Sequence, residues 1–175
     1  MKLASLIACF AWVLIPAFAA AGVEKMYYAG EVKLSSASGR PIGSQVILAE
    51  KTHDPDHSLI IERAIVVKPD RSVEQHTMNM KVTGDTFTLE DDAHTVSGTG
   101  KLFGPAWHWT YFKAEFKATN GVTIEDENYL TDPAVGCARK KVIAPDGKVL
   151  MYMDVTLKQI TPKTFEILSN ALAAK

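Results

Sequence analysis

Beyond residue 21 the chain is written largely in period two. Tyr28, Gly30, Val32 and Leu34 alternate with Glu31 and Lys33. Within Val73–Val82, one face carries His76, Met78, Met80 and Val82 and the other Gln75, Thr77, Asn79 and Lys81. Alternation of this kind sets one face of a strand against a core and the other in water. Leu59–Val67 is apolar on both faces, with Arg63 among Leu59, Ile61, Ile65 and Val67, and Glu62 among Ile60, Ala64 and Val66. Further strands are predicted at Gln45–Glu50, Phe87–Leu89, Val96–Leu102, Trp107–Phe116, Val122–Leu130, Arg139–Ile143, Val149–Ile160 and Thr164–Leu168, the last followed by a helical tail at Ser169–Lys175.

Turn residues punctuate this pattern. Asn120-Gly121 is a strong short hairpin signal, and Gly84-Asp85, Ala144-Pro145-Asp146-Gly147 and Thr161-Pro162-Lys163 mark other reversals. Strands separated by turns roughly every 8–12 residues make a sandwich or a barrel. Consecutive tight turns favour an all-β, up-and-down antiparallel barrel of about 8–10 strands, which leaves no open edge. No linker or repeat divides residues 22–175, so they are expected to form a single domain.

Residues 1–21 have a different pattern. Lys2 precedes an apolar run from Leu3 to Ile15, then Pro16 and the small-residue series Ala17-Phe18-Ala19-Ala20-Ala21. A cationic start, a short apolar core and an A-x-A exit are the layout of a secretory signal peptide, with cleavage expected after Ala19 or Ala21. The run is too short to span a bilayer, which needs about 20 residues. Leu6-Ile7-Ala8-Cys9 also fits a lipoprotein pattern, but cleavage there would leave Phe10–Ile15 as an apolar end. A periplasmic or secreted protein follows, not one that spans the membrane by a helix.

Composition adds to this. The chain carries 19 basic and 20 acidic side chains, with no basic cluster longer than Arg139-Lys140-Lys141, so a nucleic-acid partner is not expected. Cys9 leaves with the leader and Cys137 is then alone, so no internal disulfide forms. The chain contains no Gly-x-Ser-x-Gly, no His-Glu-x-x-His and no cysteine pair. Gly98-x-Gly100-Lys101 lacks the spacing of a phosphate loop. No cofactor is assigned.

Three groups are candidates for chemistry. In Gly98–Phe112, Trp107, Trp109 and Tyr111 would share one face of a strand and His108, Thr110 and Phe112 the other. They read either as an aromatic pocket wall or as barrel filling. His53-Asp54-Pro55-Asp56-His57, with His94, Asp91 and Asp92, offers transition-metal donors, but Asp-Pro-Asp is also an ordinary surface turn, and no metal is assigned. Arg63, His76 and His108 are the candidate polar groups inside a barrel, where an arginine would fork onto a carboxylate. Glu125, Asp126 and Glu127 look like a charged strand edge.

The strand order and the closing stretch Met151–Leu168 resemble the calycin group of barrels, which includes the lipocalins and related bacterial lipid- or haem-binding proteins. Gly30-Glu31-Val32 stands where lipocalins carry a Gly-x-Trp, without the tryptophan. The resemblance implies an apolar ligand in the barrel. The expected function is then binding of a small hydrophobic molecule by Trp107, Trp109, Tyr111, Met78 and Met80, anchored by Arg63, His76 or His108. Two alternatives remain open. One is a barrel enzyme of isomerase or hydratase type with His76 or His108 as base. The other is a solid barrel that serves structure or interaction.

Overall fold

In the computed structural model the described residues are 22–104, 109–132 and 134–173. Residues 1–21, where a signal peptide is expected, lie outside them, as do Trp107 and His108. The strands are β1 Glu24–Ser36, β2 Pro41–Asp54, β3 Leu59–Val67, β4 Val73–Thr83, β5 Thr86–Asp91, β6 Val96–Phe103, β7 Tyr111–Ala118, β8 Thr123–Asp132, β9 Val135–Ile143 and β10 Val149–Ile160, followed by one helix, α1, Pro162–Ala173. Each strand pairs antiparallel with its neighbour in sequence, and β1 pairs with β10 to close a barrel of ten strands.

Register shows how the barrel closes. The row of partners that leaves β1 at Glu24 passes His53, Ile60, Met80, Leu89, Gly98, Phe116, Ile124, Val142 and Met151, and returns to β1 at Ser36. The strands therefore cross the barrel axis steeply, as closure with a stagger requires. The inward face alternates faithfully: Met26, Tyr28, Val32 and Leu34 on β1 are buried, and so are Phe112, Phe116 and Ala118 on β7.

Local chemistry shapes the ends. Asn120-Gly121 is a turn as expected: Gly121 takes a φ of 84°, its N–H donates to Ala118 O at 2.8 Å, and Asn120 Oδ1 accepts from Val122 N at 3.2 Å. Asp91, buried at the end of β5, accepts from the Thr95 and Val96 amides at 2.7 and 2.8 Å and from Thr95 Oγ1 at 2.6 Å. That carboxylate is consumed by its turn.

Two predicted elements differ. The strand expected at Trp107–Phe116 begins only at Tyr111. Trp109 precedes it, so the expected shared face of Trp109 and Tyr111 does not form: Trp109 is buried while Tyr111 lies half-buried. The strand expected at Thr164–Leu168 is instead the start of α1. Proline is favoured in the first turn of a helix, and Thr161 Oγ1 accepts from Thr164 N at 3.1 Å as a cap. The helix lies on β1 through Phe165, whose ring centroid is 5.0 Å from that of Tyr27.

The outer face carries charge in cross-strand pairs, including Lys113–Glu127 at 2.6 Å, Arg139–Asp154 at 2.9 Å and Lys141–Glu125 at 3.1 Å. Exposed pairs of this sort add little stability, but they mark a surface that faces water, since charges on a lipid-facing barrel wall are costly. No described helix is long and apolar enough to cross a membrane.

Two inward glycines, Gly98 and Gly100, permit close approach. A Cβ on Gly100 would stand 2.3 Å from Phe87 Cζ and 2.6 Å from Lys113 O, and one on Gly98 2.4 Å from Glu115 O. Backbone oxygens cannot step aside cheaply. Gly100→Val is expected to destabilise by about 1–3 kcal/mol or more, read as a lower urea midpoint at unchanged slope.

Candidate functional site

Most of the barrel interior is apolar and closely packed. Tyr28, Val32, Ile47, Ala49, Ile60, Val66, Met80, Met153 and Leu157 show no exposure at all.

 Met26, Met78 and Met151 join Met80 and Met153 on the inner wall, so every described methionine points inward. Phe87 and Phe112 pack edge to face at 5.6 Å between centroids.

Into this wall the pleat inserts charges. Lys51 on β2 stands directly opposite Glu62 on β3, and Asp126 on β8 directly opposite Lys140 on β9. All four are buried to within one per cent. Lys51 Nζ is 2.9 Å from Glu62 Oε2, and Lys140 Nζ donates to Asp126 Oδ2. The two pairs sit on facing walls yet act on each other: Lys51 and Asp126 attract, as do Glu62 and Lys140. Together they form one cluster of alternating charge. The Lys51 ammonium also lies 5.5 Å over the Tyr28 ring, and the Tyr28 hydroxyl donates to Met26 Sδ at 3.2 Å.

Burial sets the electrostatics. Loss of water pulls Lys51 and Lys140 below the usual lysine value and pushes Glu62 and Asp126 above the usual carboxylate values, and each ion's partner opposes that pull. Tyr28 is pushed up mainly by burial, with Glu24 and Glu62 adding to it. Several buried polar atoms close no hydrogen bond, among them Glu62 Oε1, Gln45 Oε1 and Asn128 Oδ1, while the Asn128 amide acts on the Asp126 carboxylate and favours its charged form. Asn128 follows Asp126 on the same inward face of β8. Leaving such groups unpaired costs about 1–3 kcal/mol each.

These charges were concealed in the sequence by their neighbours. Glu125-Asp126-Glu127 looks like a charged edge, but only Glu125 and Glu127 point outward, and Asp126 turns in beside Ile124 and Asn128. Lys140 likewise turns in between Arg139 and Lys141, on the face of Ala138 and Val142. Period two, carried through each charged triplet, was the signal that would have found them.

The residues singled out from the sequence scatter. Met78 and Met80 line the inner wall of β4, and His76 is half-buried on the same face, 3.5 Å from Glu74 Oε2, with Lys68 on the same carboxylate group. Burial lowers the His76 pKa while Glu74 raises it. Trp109 is buried ahead of β7. Tyr111 belongs to the outer face, its ring 5.3 Å from Phe103, with Lys113 over it at 5.8 Å. Arg63 also points outward, 66% exposed and 3.6 Å from Glu50 Oε1, so the expected inward arginine fork does not exist. The pleat gave β3's inward places to Ile60, Glu62, Ala64 and Val66 instead. Trp107 and His108 fall outside the described residues.

The His53–His57 group also separates. Asp54 caps a short 3-10 turn at Pro55–His57 and pairs with His57 at 2.8 Å, whose ring is 77% exposed. His53 instead turns into the barrel and is buried. Among the described residues no cluster of His, Cys, Asp and Glu has metal-holding geometry. Cys137 is half-buried on β9, opposite Tyr129. Clefts bounded by described residues run along the outer face, among them one of about 760 Å³ beside Glu31, Lys33, Arg139, Tyr152 and Asp154 and one of about 440 Å³ beside Ala29, Thr156 and Lys158.

No family model matches the chain, and no curated protein matches it. Among solved structures it is similar to a protein of unknown function from the DUF3598 family of Nostoc punctiforme, at a TM-score of 0.55 and 8% identity. The likeness covers 77% of this chain and 47% of that one, so this chain spans about half the length of that protein. At this identity the comparison establishes the barrel fold.

Two outcomes follow from the geometry. Lys140→Met is expected to cost about 3–5 kcal/mol by stranding Asp126, and adding Asp126→Leu should recover most of the loss. Urea unfolding of both singles and the double checks this. His53 has its pKa lowered to about 3 by burial, with Lys51 adding to the effect. The folded state therefore refuses a proton that the unfolded chain accepts below its usual 6.5. Stability should be intact above pH 6.5 and fall as pH drops from there toward 3, approaching about 1.4 kcal/mol per unit for this one site. His53→Leu should flatten that slope by close to one proton.

Proposed function

We propose that this chain is an exported barrel that takes a small, mainly apolar molecule into its interior. The observation that carries this reading is the interior polar cluster. A barrel kept only for its shape is stabilised as well or better by apolar filling, since replacing buried ion pairs by hydrophobic residues of like volume is often neutral or favourable. This one buries Lys51, Glu62, Asp126 and Lys140 and leaves atoms of Asn128 and Gln45 without hydrogen bonds. Buried groups left in that state are uncommon, and buried ionisable groups with strong partners are candidates for functional sites. The methionines around them are unbranched and adaptable, so the wall re-packs around a guest. Among the described residues the inward side chains are closely buried, so a guest enters by displacing some of them. Export rests on the leader pattern of residues 1–21.

A second reading has its own support. The zero exposure of so many inward side chains, and clefts that run along the outside, favour a solid barrel that works through its surface. Native mass spectrometry of the protein recovered from the periplasm of a bacterial host separates the two. The ligand reading expects a mature chain beginning at Ala20 or Gly22 with a non-covalent adduct lost on denaturation. A bare mass, as isolated and after incubation with an organic extract of the host envelope, would leave the solid barrel. An uncut chain held in the cytoplasm would contradict export.

A further inference from the structure

We infer that the part of the guest held at the charge cluster is an uncharged group that both donates and accepts hydrogen bonds, such as an amide or a hydroxyl, and that carboxylates are excluded. This rests on the reading that the barrel interior takes a guest.

Charge balance is the first ground. The cluster holds two lysines and two carboxylates, paired across β2–β3 and β8–β9. Each pair is net neutral whether the proton sits on nitrogen or on oxygen. A carboxylate brought among them adds a buried charge with no cation left to match it, and it meets Glu62 and Asp126 as like charges. An ammonium group meets Lys51 and Lys140 in the same way. Either unmatched ion is costly where water is excluded.

The unpartnered atoms are the second ground. Glu62 Oε1 and Asn128 Oδ1 close no hydrogen bond and can accept, whereas the Asn128 amide already acts on the Asp126 carboxylate. Lys51 carries three N–H bonds and has one carboxylate at 2.9 Å. Both kinds of capacity are therefore open, on residues buried to within one per cent. A group that only accepts leaves the Glu62 and Asn128 oxygens unpaired, and one that only donates leaves the ammonium hydrogens unpaired. An amide or hydroxyl serves both.

Decanamide, 1-decanol and sodium decanoate share one apolar chain and differ in the head group. Titration calorimetry on the mature protein near neutral pH should find decanamide and decanol bound at least about tenfold more tightly than decanoate. Asn128→Leu removes an amide that supports the Asp126 carboxylate, so the variant should fold with a modest loss of stability and lose most of the decanamide preference. Glu62→Gln leaves Lys51 unmatched and should shift the preference toward decanoate by about tenfold. Decanoate bound as tightly as decanamide by the unaltered protein overturns the inference while the guest reading stands. An Asn128→Leu ratio unchanged from the parent also overturns it. Binding of none of the three overturns the interior-guest reading, and the inference falls with it.

Discussion

A sheet closed on itself has no edge, and whatever its pleat turns inward must find a partner inside. That constraint governs this protein. Ten strands supply an inner wall of Val, Ile, Leu, Met and Phe that buries itself without difficulty. Lys51, Glu62, Asp126 and Lys140 cannot leave the wall without breaking the alternation of their strands, so each must be matched by the residue opposite it. The register provides the match: both ion pairs are direct cross-strand neighbours. A slip of one residue in β2 or β9 would carry a lysine outside and leave a carboxylate stranded in the core. The pairs are thus a demand on register as much as a source of attraction.

Coupling between the pairs gives the interior a character that hydrophobic filling alone would not. Facing walls carry opposite charges within reach of each other, and the hydrogen-bonding capacity they leave open is concentrated on Glu62 and Asn128. Around it the methionines provide volume that can be rearranged. A rigid polar centre in a deformable apolar wall is suited to holding a molecule with one polar group. The outer face, by contrast, carries exposed ion pairs that tie it to water.

Much of the fold was legible because alternation is robust over long strands. Val73–Val82 and Val149–Ile160 read correctly to within a residue or two, and Asn120-Gly121 marked its hairpin. Legibility failed where a local rule overrode the period. Thr161-Pro162-Lys163 reads as a turn between two strands, but after closing β10 it caps a helix in place of the expected last strand. Trp109 lies before β7, so counting by twos from Tyr111 misplaced it. The candidate site was less legible than the fold. Arg63 drew attention as an isolated cation among apolar residues, yet its strand turns Glu62 inward instead. Asp126 and Lys140 were hidden within runs of charge that look solvated as a block. Pairing across strands reveals them, and pairing is not visible in one strand at a time.

The claim on which the rest depends is that two lysines lie desolvated inside the barrel, each against its own carboxylate. Nitrogen-detected NMR of the lysine side-chain amines, on protein labelled with 15N, measures this directly. Two lysine Nζ signals, lost singly in Lys51→Met and Lys140→Met, should stand apart from the rest and resist exchange with water. If every lysine amine exchanged at the rate of an exposed side chain, the interior cluster would not exist in solution.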